Sequence, residues 1–243
     1  MTAAARGTRL PKGRARTRTR TVDDAGVPMA EQVIVPAPGA HLGGDLDVPP
    51  DALGVVVFAH GSGSSRHSPR NRHVAAALGR AGLATLLLDL LTADEERRDA
   101  VDGSLRFDVR LLAQRLTAAV DDVAQRAATQ ALPVGLFGAS TGAAAALLSA
   151  VERPDVVRAV VSRGGRPDLA ADALARVLAP TLLLVGARDT EVLGLNERAA
   201  AAMACEREVR VVPGATHLFE EPGALDEVSR QAAEWFTRHL SIT

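Results

Sequence analysis

Gly138-Ala139-Ser140-Thr141-Gly142 is the stretch on which the fold turns. Before it runs the apolar segment Pro133-Val134-Gly135-Leu136-Phe137, and after it the alanine-rich segment from Ala143 to Leu148. The order reads as strand, sharp turn, helix, with a serine at the turn, which is the setting a G-x-S-x-G match requires. A serine hydroxyl attacks a carbonyl only when it stands clear of the backbone and beside a base. A tight strand-to-helix turn exposes it, at the expense of backbone strain. Gly138 and Gly142 carry no Cβ, so strand and helix can close around it. The helix that starts at Thr141 offers free N–H groups where an oxyanion would form. A glycine-rich turn that merely contains serine spells the same five letters, so the rest of the chain has to decide.

Two further strands speak for chemistry. Thr181-Leu182-Leu183-Leu184-Val185 leads into Gly186-Ala187-Arg188-Asp189, and Val209-Arg210-Val211-Val212 leads into Pro213-Gly214-Ala215-Thr216-His217. Asp189 and His217 each follow the C-terminal end of a predicted strand, in the order Ser, Asp, His that an acyl-transfer triad on such a sheet needs. In open α/β sheets that edge is the ligand-binding edge. Two other readings stand beside this one. Asp189 caps a helix that begins near Glu191, or Glu191 is itself the acid. Among the other histidines, His41, His60, His67 and His73 precede Ser140, and His239 lies at the end of the last predicted helix.

Upstream, the apolar strand Gly54-Val55-Val56-Val57-Phe58-Ala59 enters the loop His60-Gly61-Ser62-Gly63-Ser64-Ser65. A glycine-rich loop before a helix also binds phosphate, but no Gly-Lys-Ser/Thr ending is present to make it a P-loop. Ser68-Pro69 then reads as N-cap and first helical residue. From there the elements alternate. Residues 32–37 and 41–48 form an antiparallel pair, residues 83–91 a strand and residues 106–129 a long helix. Strands follow at 133–137 and 156–162, with a helix over 167–178. The Asp189 and His217 strands and a final helix complete the series. That last helix places Leu225, Val228, Ala232, Trp235, Phe236 and Leu240 at helical spacing, with Trp235 in the core. Alternation of this kind gives a parallel sheet with right-handed crossovers.

Composition narrows the function classes. The chain has 243 residues, 47% of them hydrophobic, which suits a single α/β domain. Aromatics are 2% and tyrosine is absent, so no tyrosine serves as acid, base or oxyanion donor. A net charge of −1 gives no global attraction to nucleic acid or membrane. The single Cys205 excludes an intrachain disulfide and a multi-cysteine metal site, and reads as a small packing residue. No apolar stretch is long enough to span a bilayer. Residues 1–30 differ from the rest: Arg6, Arg9, Lys12, Arg14, Arg16, Arg18 and Arg20 precede the first acid, Asp23. They read as a disordered basic tail before a domain over residues 31–243; a weak contact with nucleic acid or anionic lipid is the sharper reading. No hydrophobic segment follows to make a secretory signal, so the expected location is cytoplasmic.

The string His60 to Asn71 and the string Gly135 to Gly142 resemble the α/β-hydrolase superfamily, in its dienelactone-hydrolase-like group. The resemblance covers about residues 31–240, and its subgroup includes hydrolase domains fused to phosphoribosyltransferases. It implies an α/β-hydrolase fold: a mostly parallel, doubly wound sheet with leading antiparallel strands. Where many α/β-hydrolases insert a lid, the segment between Ser162 and Pro180 has room for one helix and little more, so no large lid is expected. The resemblance also implies Ser140 as nucleophile, Asp189 as acid and His217 as base. The oxyanion donors it implies are the backbone N–H groups of Ser62 and Thr141, and no cofactor or metal is required. Dienelactone hydrolases proper use cysteine as nucleophile, so Ser140 shifts the expected substrate toward small esters, thioesters or lactones. Acyl transfer to an alcohol or peroxide uses the same triad, and a ligand-binding homologue keeps the fold with little turnover. Arg66 in the oxyanion loop and Arg163 after the strand beside the elbow are candidate partners for a substrate carboxylate, or else solvated loop arginines.

Overall fold

The computed structural model describes residues 30–241. The tail expected over residues 1–30 lies outside the described residues but for its last position.

The antiparallel pair is present as β1 (Glu31–Ala37) and β2 (Ala40–Asp47), joined at Pro38-Gly39 with Gly39 at a φ of 69°. Then follow β3 (Val55–Ala59), α1 (Pro69–Arg80), β4 (Ala84–Leu88), α2 (Ala93–Asp102), α3 (Val109–Gln125), β5 (Val134–Ala139) and α4 (Thr141–Glu152). The chain ends with β6 (Val157–Arg163), a 3₁₀ segment (Pro167–Arg176), β7 (Thr181–Gly186), α5 (Thr190–Ala202), β8 (Arg207–Val212) and α6 (Ala224–Leu240). All strands join one eight-stranded sheet in the order β1-β2-β4-β3-β5-β6-β7-β8. β2 meets β4 antiparallel, and every pairing from β4 to β8 is parallel. The α/β-hydrolase fold expected from the sequence is the fold observed.

Each central strand is apolar throughout because both faces are covered. Val55 and Val57 pack into the layer beneath α3 and α4, while Val56 and Phe58 pack into the layer beneath α1 and α6. Trp235 is buried in that second layer, and its indole N–H donates to the Pro180 carbonyl at 3.4 Å. Cys205 packs half-buried against the first layer, and burial pushes its thiol up.

Three elements depart from the sequence expectation. The long helix begins only at Val109, because the Asp108 carboxylate accepts the N–H groups of Arg110 and Leu111 and caps it there. The segment expected as a helix over 167–178 is 3₁₀, broken at Ala171, which has a φ of 44°. Helix α2 was not expected at all. Thr92 and Glu95 build a reciprocal capping box at its start, with the Thr92 N–H donating to Glu95 at 2.8 Å and the Glu95 N–H donating to Thr92 at 3.2 Å.

The elbow is held by backbone against backbone. A Cβ on Gly142 would stand 2.2 Å from the Ala59 carbonyl oxygen, and one on Gly138 would stand 2.5 Å from the Ala143 Cα. Neither neighbour is a flexible side chain that can swing aside. We therefore expect Gly142→Ala to destabilise the fold by about 3 kcal/mol, at the upper end of overpacking changes. A thermal melt checks this: a midpoint equal to that of the wild type would contradict the close approach of α4 and β3.

Candidate active site

Ser140 sits between β5 and α4 with φ 51° and ψ −122°, a conformation rarely adopted by residues with a side chain. Its backbone is tied down on both sides. The Ser140 N–H donates to the Arg163 carbonyl at 3.3 Å, and the Ser140 carbonyl accepts from Ala143 at 3.1 Å and from Arg166 at 3.0 Å. The neighbouring strand β6 thus helps to hold the strained turn.

The loops after β7 and β8 are strapped together. The Arg188 N–H donates to the Ala215 carbonyl at 2.9 Å, and Ala187 donates to Val212 at 3.0 Å. This places Asp189 against His217: Nδ1 of His217 donates to Oδ2 of Asp189 at 2.6 Å. Asp189 is the N-cap residue of α5, yet its side chain makes no capping bond. Its carboxylate is on the imidazole instead, which removes the capping reading of that side chain. Glu191 lies exposed in the first turn of α5. Glu221 steadies the histidine loop by accepting the Thr216 N–H at 3.1 Å, and hydrogen bonds from Thr216 hold its carboxyl below the usual range.

His217 is brought toward the elbow through Gly164. A Cβ there would stand 3.6 Å from His217 Cε1, and the preceding residue is the one whose carbonyl holds Ser140. Among the described residues the Ser140 hydroxyl makes no hydrogen bond to His217. Such contacts are often long in the free protein and tighten around a bound substrate. Ser62 and Thr141 face one another, their hydroxyls 3.2 Å apart, and the Ser62 hydroxyl donates to the Arg106 carbonyl at 3.3 Å. The two residues expected to supply the oxyanion donors are therefore in side-chain contact.

A cleft of about 570 Å³ opens along the loop from His60 to Ser65. Its other wall comes from Glu96, Asp99 and Ala100 of α2 and from Arg106. Arg106 is fixed there by Asp99, to which its Nε donates at 2.6 Å. The space between Ser162 and Pro180 holds only the 3₁₀ segment. The wall is supplied from elsewhere, by the connection between β4 and α3. Thr92-Ala93-Asp94-Glu95, a readable capping box, is the signal in the sequence that could have found it.

A family model of the dienelactone hydrolase family matches residues 42–242. The chain belongs to the dienelactone hydrolase family. Its fold is similar to that of a dienelactone hydrolase from Anabaena variabilis, with a TM-score of 0.86 and 54% identity over 88% of this chain and 99% of that one. Est1E from Butyrivibrio proteoclasticus shares the fold at a TM-score of 0.72 and 15% identity, over 86% of this chain and 98% of that one. Proteins of two Mycobacterium tuberculosis strains, provisionally named phosphoribosyl transferases, are 57% identical over 210 residues. The match takes in 86% of this chain and 46% of theirs, so the chain spans about half the length of these curated relatives.

Seen as a member of this family, the chain departs from expectation at its arginines. Neither Arg66 nor Arg163 is a solvated loop residue. The Arg66 guanidinium pairs with Asp89 and lies 3.4 Å from Asp45, while its N–H donates to Asp89 at 2.7 Å. It is occupied in shaping the loop that carries Ser62. Arg163 is buried with no carboxylate partner among the described residues, and Arg70, in the first turn of α1, lines the cleft. Among the described residues no group of histidine, cysteine and carboxylate side chains is arranged to hold a metal, and no helix is long and apolar enough to cross a membrane.

His60 anchors the start of the loop as a neutral ring. Its Nε2 accepts the Leu90 N–H at 3.1 Å, while Nδ1 is 3.0 Å from the Gly61 carbonyl and donates to it. A second proton would have to sit on Nε2, facing the Leu90 N–H. Burial pushes the imidazole below its ordinary value of 6.5. The unfolded chain therefore binds a proton that the folded chain refuses. Stability is fully present above about pH 6.5 and falls as the pH drops toward the lowered value. His239 is shifted the same way by burial, so the comparison must leave it in place. We expect urea unfolding between pH 7.5 and 5.5 to show a shallower loss of stability in His60→Gln than in the wild type. Identical slopes would show that His60 is not held neutral.

Proposed function

We propose that the chain is a serine hydrolase of small carboxylic esters, thioesters or lactones. The observation that carries this reading is the 2.6 Å bond between His217 and Asp189, made by the loops after β7 and β8 at the same sheet edge as Ser140. In this reading Ser140 Oγ attacks the acyl carbon while His217 Nε2 takes the hydroxyl proton. The Asp189 carboxylate fixes the ring in the tautomer that presents Nε2 as acceptor, and stabilises the imidazolium as it forms. The oxygen of the tetrahedral intermediate is received by the backbone N–H groups of Ser62 and Thr141, which need no reorganisation as charge develops. Collapse returns the proton from His217 to the leaving alcohol or thiol. Water then repeats the sequence on the acyl-enzyme, with His217 again as base.

The serine shapes the substrate class. A hydroxyl is a weak nucleophile at neutral pH and depends on the adjacent base for activation. That arrangement suits an ordinary ester or lactone carbonyl. The cleft alongside the oxyanion loop has room for a small acyl or alcohol portion and is open to solvent, so access requires no large movement of a covering domain.

Steady-state kinetics on short aryl esters test the roles separately. Ser140→Ala is expected to lower kcat by roughly 10³-fold or more, since members of such a triad act as a unit. Asp189→Asn is expected to lower it by about 10⁴-fold, as when the orienting aspartate of a serine protease is amidated. Full activity in Ser140→Ala would refute the nucleophile. A near-normal Asp189→Asn beside an inactive Glu191→Gln would move the acid to Glu191.

A further inference from the structure

Among the ten residues of α2 only Asp99 is buried. A helix that turns a single carboxylate inward is defined by what that carboxylate bonds. Asp99 is 4% exposed. Its Oδ1 accepts the N–H groups of Leu105 and Arg106, each at 2.8 Å, and its Oδ2 accepts Arg106 Nε at 2.6 Å. Its carbonyl accepts Arg106 Nη2 at 2.7 Å and the N–H of Gly103 at 2.8 Å. Gly103 ends the helix at a φ of 67° and turns the chain back, so that Arg106 closes onto Asp99. Hydrogen bonds with a charged partner are roughly twice as strong as neutral ones. One acid therefore fixes the whole Leu105–Arg106 corner.

The corner reaches the oxyanion loop. The Arg106 carbonyl accepts the Ser62 hydroxyl at 3.3 Å, and the hydroxyls of Ser62 and Thr141 are 3.2 Å apart. A carbonyl only accepts, so the one hydroxyl hydrogen of Ser62 goes to Arg106, and the Thr141 hydroxyl donates to Ser62. The bonds then run in one direction from the elbow to α2: Thr141, Ser62, Arg106, Asp99. Ser62 depends on this hold. It stands between Gly61 and Gly63, and Gly63 has a φ of 65°. Glycine on both sides leaves the backbone free to turn. Within the loop the turn is closed by the Ser64 N–H, which donates to the Gly61 carbonyl at 3.2 Å.

We propose that Asp99 is a positioning residue for the oxyanion hole: through Arg106 and the Ser62 hydroxyl it sets where the Ser62 N–H points. That this N–H receives the developing oxyanion rests on the serine-hydrolase reading; that Asp99 holds the Ser62 loop does not. An oxyanion donor acts where charge appears in the transition state, so a displaced loop lowers kcat and leaves the binding of the ground state nearly unchanged.

Two measurements on the full chain test this. The first is hydrogen exchange over residues 60–65, followed by mass spectrometry. Asp99→Ala and Ser62→Ala each speed exchange there by roughly fivefold or more, the effect of losing one ordinary hydrogen bond, and leave β5 and β6 at wild-type rates. Asp99→Asn keeps an acceptor for the two N–H groups and loses the bond to Arg106 Nε, so it lies between; it carries both measurements if Asp99→Ala does not fold. Wild-type exchange over 60–65 in the Asp99 variants overturns the proposal. The second measurement is steady-state kinetics on p-nitrophenyl acetate. In Asp99→Ala kcat falls about tenfold, less than the roughly 10²- to 10³-fold lost with a whole oxyanion donor, and KM stays within about twofold. Ser62→Ala keeps its N–H and loses a similar factor, and adding Asp99→Ala to it lowers kcat no further, because the chain of bonds is already cut. Losses that multiply in the double variant, or a raised KM at unchanged kcat, would make Asp99 a support of the cleft wall alone and overturn the proposal. If the wild type turns over no ester, the hydrolase reading fails, and the exchange measurement still decides whether Asp99 holds the loop.

Discussion

The structure depends on keeping Ser140 in a backbone conformation it would not choose alone. A φ of 51° at a residue with a side chain is worth of order 1–3 kcal/mol of strain. Three backbone hydrogen bonds, to Arg163, Ala143 and Arg166, offset it. They exist only because β6 lies beside β5 in register and because α4 starts at once after the turn. That start is possible because Gly138 and Gly142 let α4 lie on the backbone of β5 and β3. The order of the strands, the two glycines and the exposed hydroxyl are therefore one constraint.

The chemistry proposed for this centre follows from the same sheet edge. β7 ends next to β6 and β8 next to β7, and their loops are sewn together by backbone bonds before any side chain is considered. Asp189 and His217 then meet without reaching across the molecule. On the opposite side, β3 delivers the loop that begins at His60, and the neutral ring of that histidine ties the loop to the strand end at Leu90. The polar groups around the elbow divide into two kinds. Most, such as Arg66 with Asp89 and Arg106 with Asp99, are matched and hold loops in place. Arg163 has no counter-charge among the described residues.

The sequence made most of this legible because the decisive signals were local. An apolar run followed by Gly138-Ala139-Ser140-Thr141-Gly142 specifies a strand, a turn and a helix without long-range information. The same holds for the runs that end at Asp189 and His217. What could not be read was how side chains are shared between distant segments. Arg66 and Arg163 were equivalent as letters. Only tertiary contact gives one of them Asp89 and leaves the other buried without a counter-charge among the described residues. Whether Asp189 caps α5 or faces His217 is likewise settled in space, since either use suits an aspartate at that position. The 3₁₀ segment escaped because Ala171 has no special preference for positive φ; its conformation is imposed by its surroundings. Helix α2 escaped although its capping box was visible, because charged residues fill it and no apolar periodicity marks it.

The central claim is that Ser140 carries the acyl group during turnover. The most direct measurement is to mix the protein with an excess of a p-nitrophenyl ester, quench with acid within the first turnovers, and map the modified peptide by mass spectrometry. The account predicts one acyl adduct, on Ser140, that appears with the burst of p-nitrophenol and accumulates further in a His217→Ala background if deacylation is slowed more than acylation. Ester turnover with no adduct on Ser140, or with the acyl group on another residue, would contradict it.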